Sequence, residues 1–226
     1  MLTSILVVAL SLGWLWKGKS IFYNAEQQHF QQKIILAIPK DLAFAGERVH
    51  FKNPTAYQLF YRELRLNTYK NSSSKTIKRN AKRILPMIEK VFKINHVPDD
   101  FKYIAIAESN LRNDVKSSQG ATGIWQLTKP TAIALGLKVN DEIDERLNTL
   151  KATKAACKYI KFAKKKFGTW TLAAVAYNRG AGGLERAMAK QEMTSYYDLD
   201  LNPETEKYIY KIVAFKQLFG SSTYSH

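Results

Sequence analysis

From Trp170 to Tyr177 the chain is apolar at every position but Thr171. A helix of that composition has no face to offer to water, so it must be the buried centre around which other elements pack. Its surroundings agree. Leu147 to Phe167 reads as a longer amphipathic helix, basic through Lys151, Lys154, Lys158, Lys161, Lys164, Lys165 and Lys166, with Gly168 as its stop. Ile77, Ile84, Ile88 and Val91 keep helical spacing, and Pro86 among them predicts a kink or a break into two helices. Val97-Pro98-Asp99-Asp100 is a helix start, and the helix it opens places Phe101, Ile104, Ala105 and Glu108 on one face. Asn178 to Gly183 reads as a flexible turn, and Asn202-Pro203-Glu204-Thr205-Glu206 as the opening of a last helix with Tyr208, Ile212 and Phe219 as its apolar stripe. Strand alternation and fixed-period repeats are not found. The predicted fold class is all-α.

The chain has 226 residues, enough for one domain with a real core plus an extension. Residues 1–20 read as a signal peptide or a membrane anchor: Met1 to Trp16 carry no charge, and Lys17 and Lys19 follow. That predicts export to the cell envelope, on the periplasmic side, and membrane association through the N-terminus. The lysines after the apolar run weakly favour the opposite orientation. Residues 21–75 are polar, rich in glutamine at Gln27, Gln28, Gln31 and Gln32, and end in the Asn71 to Ser74 cluster, which reads as a linker. They form an N-terminal extension without evident chemistry, ahead of a helical domain at 76–220.

Lys+Arg 35 against Asp+Glu 19 leaves a net charge of +16. Such a charge suits a polyanionic partner, and the absence of a recognisable DNA- or RNA-binding motif argues against nucleic acid. Cys157 is the single cysteine, so no intramolecular disulfide is possible, and its place on a helix face predicts a buried structural thiol. His29, His50, His96 and His226 show no metal-ligand spacing, so no metal is expected. Gly182-Gly183 lacks the Lys-Ser/Thr of a phosphate loop, which argues against a nucleotide. No cofactor is expected, and the oligomeric state is left open.

Chemistry concentrates in four segments that place polar groups beside buried helical faces: Glu108-Ser109, Gly123-Ile124-Trp125-Gln126, Ala176-Tyr177-Asn178, and Glu204 with Tyr208. Glu108, a lone carboxylate on an apolar face, is a candidate proton donor whose pKa burial would raise toward neutrality. As a purely structural acid it would need a partner, and Arg112 one turn on is the available one if the helix continues that far. The aromatic and amide pair Trp125 and Gln126 supplies what a sugar ring needs for stacking and hydrogen bonding.

In order and spacing these segments resemble the lytic transglycosylase domain of bacterial cell walls, which is related to goose-type lysozyme, and within it the membrane-bound murein D subtype. Glu108-Ser109 is similar to that family's Glu-Ser motif, Gly123 to Gln126 to its Gly-x-x-Gln, and Ala176 to Asn178 to its Ala-Tyr-Asn. Pro203 to Tyr208 resembles the subtype's Pro-Glu-Thr-x-x-Tyr, and Asp144-Glu145-Arg146 its Asp-x-Arg. The resemblance covers about residues 76–220. Peptidoglycan-binding repeats carried by full-length proteins of the subtype have no counterpart here, and residues 21–75 match nothing in the pattern.

The resemblance implies a lysozyme-like helical domain that cleaves the β-1,4 bond between N-acetylmuramic acid and N-acetylglucosamine in peptidoglycan strands, leaving a 1,6-anhydro end. Glycosidases usually need two carboxylates, and the motif carries one. Glu108 would act first as acid and then as base on the sugar's own C6 hydroxyl. Ser109 would orient the acetyl or peptide part, Gln126 would bond the substrate near the acid, and Trp125 would stack or support the loop. Tyr177 would fix Glu108 through its hydroxyl, Asn178 would bind the sugar amide, and Tyr208 would be a second orienting phenol. Sequence does not place Asp114 or Glu204 against the scissile bond. The competing expectations are a hydrolase of the same bond and a non-catalytic basic wall-binding module.

Overall fold

The computed structural model describes residues 42–51, 54–66 and 72–220, so the expected signal or anchor lies outside the described residues. In chain order come a hairpin of β1 (Ala43–Phe44) and β2 (Glu47–Arg48), then α1 (Pro54–Leu66), α2 (Ser72–Asn95), α3 (Lys102–Ser109), α4 (Lys129–Ala134), α5 (Thr149–Phe167), α6 (Trp170–Arg179), α7 (Ala181–Gln191), α8 (Pro203–Glu206) and α9 (Tyr208–Phe219). Single 3-10 turns precede α3, α5 and α8. The described fold is helical, with one short antiparallel hairpin pairing Ala43 with Arg48 and Phe44 with Glu47. Among the described residues, no helix is long and apolar enough to cross a membrane.

α6 is the central helix. Thr171 to Ala176 are all buried, and α6 packs along α5, whose apolar face is Ala152, Ala155, Ala156, Cys157, Ile160 and Ala163. Small residues on both faces let the two helices approach closely. Cys157 is fully buried there, and burial pushes its thiol up to about 11. Thr171, the polar exception, has a partner: both oxygens of Glu47 accept, one from Trp170 N at 2.6 Å, the other from Thr171 N at 2.8 Å and Thr171 Oγ1 at 2.7 Å. A carboxylate at that position also complements the positive end of the helix. Thr169 caps the same end, Asn148 caps α5, and Gly168, at φ 83, ends α5 in the left-handed conformation.

Three expectations are corrected. Pro86 does not divide its segment: α2 runs unbroken from Ser72 to Asn95. Pro86 is exposed, so the missing N–H falls on the solvent side while Ile84, Leu85, Ile88, Val91 and Phe92 continue the buried stripe. The turn after α6 is shorter than expected. Gly180 alone makes it, and Gly182 and Gly183 lie inside α7. The expected boundary near residue 75 falls within α2, and the described residues before it, 42–51 and 54–66, pack onto the helical domain. Phe44 and Phe60 are fully buried, α1 packs on α9, and Glu47 holds α6. Full burial of each such phenylalanine contributes roughly 1.5–3 kcal/mol.

Candidate active site

Glu108 sits in the last turn of α3. The helix stops at Ser109 because Asn110 and Leu111 both adopt positive φ, 54° and 59°, with Leu111 buried beneath. Two successive left-handed residues without a glycine are costly and need support from their surroundings. The stop has a chemical result. Arg112 does not come up one turn beyond Glu108; it makes a bidentate pair with Asp114, Nε to Oδ1 at 3.1 Å and Nη2 to Oδ2 at 2.7 Å. The structural pairing of Glu108 with Arg112 is therefore absent, and Asp114 is an exposed partner of Arg112 rather than a lining residue of the Glu108 cleft.

The carboxylate of Glu108 accepts from the Tyr208 hydroxyl at 2.5 Å. Burial holds its pKa above the usual glutamate range; the Tyr208 hydrogen bond and the Lys211 ammonium pull it down, and Glu204 pushes it up. Lys211 stands one turn along α9 from Tyr208, and its Nζ donates to the Ala107 carbonyl at 2.6 Å. Tyr177 and Tyr208 are held well above the ordinary phenol range, first by burial and then by the Glu108 charge, so both stay protonated donors.

Tyr177 does not make the bond to Glu108 expected of it. Its hydroxyl donates to the Trp125 carbonyl at 2.7 Å, and Tyr208 makes the bond instead. Trp125 is fully buried against Phe92 and Tyr177, with Nε1 donating to Thr153 Oγ1 at 2.9 Å. Its buried ring has no face on which a sugar could stack. Ser109 is likewise turned inward, its hydroxyl set between the carbonyls of Ala105 and Ile124 at 3.1 and 3.0 Å. It ties α3 to the Gly123–Gln126 turn.

That turn is held from below by Arg146. Its guanidinium makes a bidentate bond to Asp144 and donates to the carbonyls of Gly120 and Leu127, at 2.9 and 3.2 Å. Gly123, at φ 81, lies so close to the Arg146 carbonyl that a Cβ there would meet its oxygen at 2.4 Å. Gln126, also at positive φ, uses its Nε2 on the carbonyls of Val115 and Gly123, at 3.1 and 2.8 Å. The donor side of the amide is thereby fixed, and its acceptor side is the part left for a ligand. Asn178 donates to Glu204 Oε1 at 3.1 Å and accepts from Thr205 Oγ1 at 2.9 Å, joining the end of α6 to α8. Asn202 caps α8 through Thr205 N, as expected, although the last long helix starts only at Tyr208.

Glu108, Gln126, Tyr177, Asn178 and Glu204 line one cleft of about 470 Å³. Tyr208 reaches Glu108 from the protein interior, and a second cleft of about 560 Å³ is lined by Glu108 together with Lys211, Arg112 and the edge of the inward-turned Ser109. Glu108 thus lines two open spaces. Sequence reasoning assigned no role to Arg146, Lys211 or Tyr159. Tyr159 fixes the turn after α6 by donating to the Ala176 carbonyl at 2.8 Å and accepting from Ala181 N at 3.1 Å. A signal existed for Lys211, which falls three positions after Tyr208 on the same helical face.

Residues 86–199 match the family model for the transglycosylase SLT domain. The chain is 26% identical over 221 residues to the membrane-bound lytic murein transglycosylase D of Escherichia coli (strain K12), a match that covers 95% of this chain and 48% of that protein. The chain thus spans about half the length of that relative. It is 43% identical over 88 residues to the peptidoglycan transglycosylase gp16 of Escherichia phage T7, over 38% of this chain and 7% of that one. In fold it is similar to the 70 kDa soluble lytic transglycosylase of Escherichia coli, with a TM-score of 0.53 at 15% identity, over 93% of this chain and 45% of that structure.

Proposed function

The chain belongs to the transglycosylase SLT domain family, and we propose that it cleaves the β-1,4 bond between N-acetylmuramic acid and N-acetylglucosamine in peptidoglycan, with Glu108 as acid and base. One observation carries the reading: Glu108 is a carboxyl whose pKa burial has raised, held by the Tyr208 phenol and lining two clefts. A carboxylic acid whose pKa is raised by burial is better placed to give a proton to the glycosidic oxygen as it leaves.

Protonated Glu108 gives its proton to the bridging oxygen as the C1–O bond breaks. The acetamido oxygen of the same sugar closes on C1 and takes up the developing positive charge. Glu108, now a carboxylate, removes the proton of the C6 hydroxyl, and O6 displaces the acetamido oxygen from C1. The proton returns to Glu108, no water is consumed, and the product is a 1,6-anhydro sugar. Gln126 through its amide oxygen and Asn178 beside the cleft orient the acetamido group. The relatives named for murein and peptidoglycan support the substrate class, and an envelope location is part of the same proposal.

A second reading is favoured by Glu204, a carboxylate on the same cleft. With a water between the two acids the reaction would be hydrolysis. Mass spectrometry of purified sacculi after digestion separates them. Anhydro ends are expected; a digest dominated by reducing ends would give the hydrolase reading the case.

A further inference from the structure

Beyond Glu108, Arg79, Arg83 and Arg112 converge on a groove of about 440 Å³. Arg79 and Arg83 lie one turn apart on the exposed side of α2, and neither makes an ion pair with a described residue. Arg112 faces them from the loop after α3. That loop is fixed on both sides: Asn80 Nδ2 donates to the Asn110 carbonyl at 3.3 Å, and Asn113 Nδ2 donates to Thr149 Oγ1 at 2.7 Å. The left-handed pair Asn110 and Leu111 therefore presents Arg112 from a set backbone.

Three guanidiniums around one groove suit an anion, and the planar fork of arginine suits a carboxylate. The groove already displays that recognition internally, because Asp114 lines it and holds Arg112 in a bidentate pair, both side chains largely exposed at 51% and 70%. Arg112 also lines the cleft that Glu108 and Lys211 share. The groove thus continues the space in which a polymer at Glu108 would lie.

We propose that Arg79, Arg83 and Arg112 bind a carboxylate of the stem peptide carried by the glycan strand under cleavage, with Asp114 as the internal competitor the peptide displaces. The inference rests on the proposed function for the identity of the strand. A phosphate-bearing wall polymer would satisfy the same charges. The continuity with the Glu108 cleft favours the peptide, since a strand seated there brings its own peptide to the groove.

The test is titration of the full chain with soluble stem peptide, by calorimetry, alongside cleavage of peptide-bearing and amidase-stripped glycan strands. Arg79→Gln/Arg83→Gln should weaken peptide affinity roughly two- to thirtyfold, the reach of two exposed guanidinium–carboxylate pairs. KM for peptide-bearing strands should rise by a similar factor, with kcat and the stripped strands unaffected. Asp114→Asn should tighten peptide binding, and a peptide with amidated carboxyls should bind wild type and variants alike. The proposal is overturned if the double variant binds the peptide as wild type does, if both glycan substrates lose equally, or if only a phosphate-rich polymer is lost. Should wild type cleave neither glycan, the proposed activity falls, and the peptide titration still decides the groove. Both arginines are exposed, and an unchanged melting temperature identifies a folded double variant.

Discussion

Tyr208 donates its phenolic proton to Oε1 of Glu108 at 2.5 Å, between residues 100 positions apart in the chain. The bond joins the end of one helix to the start of another and sets the direction of the carboxyl. Replacing Tyr208 with Phe removes a charge-assisted bond worth roughly 1.5–3 kcal/mol, so kcat/KM should fall by about ten- to a hundredfold. The bond lowers the Glu108 pKa, so its loss should also move the alkaline limb of the pH–rate profile upward. An unchanged profile would mean that the phenol does not hold the acid.

Glu108→Gln removes the proton shuttle and should cost at least about 10²–10⁴ in rate on sacculi. Unaltered clearing by this variant would remove the catalytic assignment. The same substitution should raise stability at neutral pH. A carboxyl whose folded pKa lies above its unfolded value is favoured below the unfolded value and loses that advantage as pH rises through the folded one. The glutamine is free of this loss. Melting curves at pH 4 and pH 7.5 should show the variant's gain at the higher pH alone, each 1 kcal/mol appearing as roughly 2–4 °C.

Lys211 and Glu204 act on Glu108 with opposite sign. Lys211→Met takes away a cation that favours the carboxylate, so the alkaline limb should move to higher pH. Glu204→Gln takes away an anion that disfavours it, so the limb should move to lower pH. Salt should shrink both displacements, since both groups are reached by solvent. Shifts in the same direction would exclude a simple charge effect.

Gly123→Ala should lower stability and activity together. Its Cβ would lie 2.4 Å from the Arg146 carbonyl oxygen, and the position holds φ 81. Strain of this kind costs on the order of 1–3 kcal/mol, and backbone has no side-chain rotation with which to escape it. Thermal melts with peptidoglycan cleavage at a temperature below both transitions check this. A variant that melts like wild type would show that the turn is not pinned as described.

Local signals carried much of the fold. The apolar run at Trp170 to Tyr177, the lysine-faced helix before it, the stop at Gly168 and the cap at Asn202 are matters of a few neighbouring residues, and the structure has them. The presence of Glu108 on a helix face belongs to the same level. Contacts between distant segments did not. Nothing local distinguishes Tyr177 from Tyr208 as the partner of Glu108, because the choice depends on where α9 lands. Trp125 beside Gln126 has the composition of a sugar platform, yet the left-handed turn at Gln126 sends the indole into the core. Pro86 reads as a breaker until its solvent-facing position is known. Gly182 and Gly183 read as a loop until the helix around them is seen.

Glu47 grips the start of α6 from a hairpin well upstream of the stretch that the SLT family model matches, 86–199. A fragment trimmed to those borders would keep Glu108 and Asn178 and lose the upstream clasp, along with Glu204, Tyr208 and Lys211 downstream. The stretch the family model recognises is therefore smaller than the unit that holds together mechanically. Anyone excising this domain for crystals or for fusion would do well to begin no later than Leu42 and to run through Phe219.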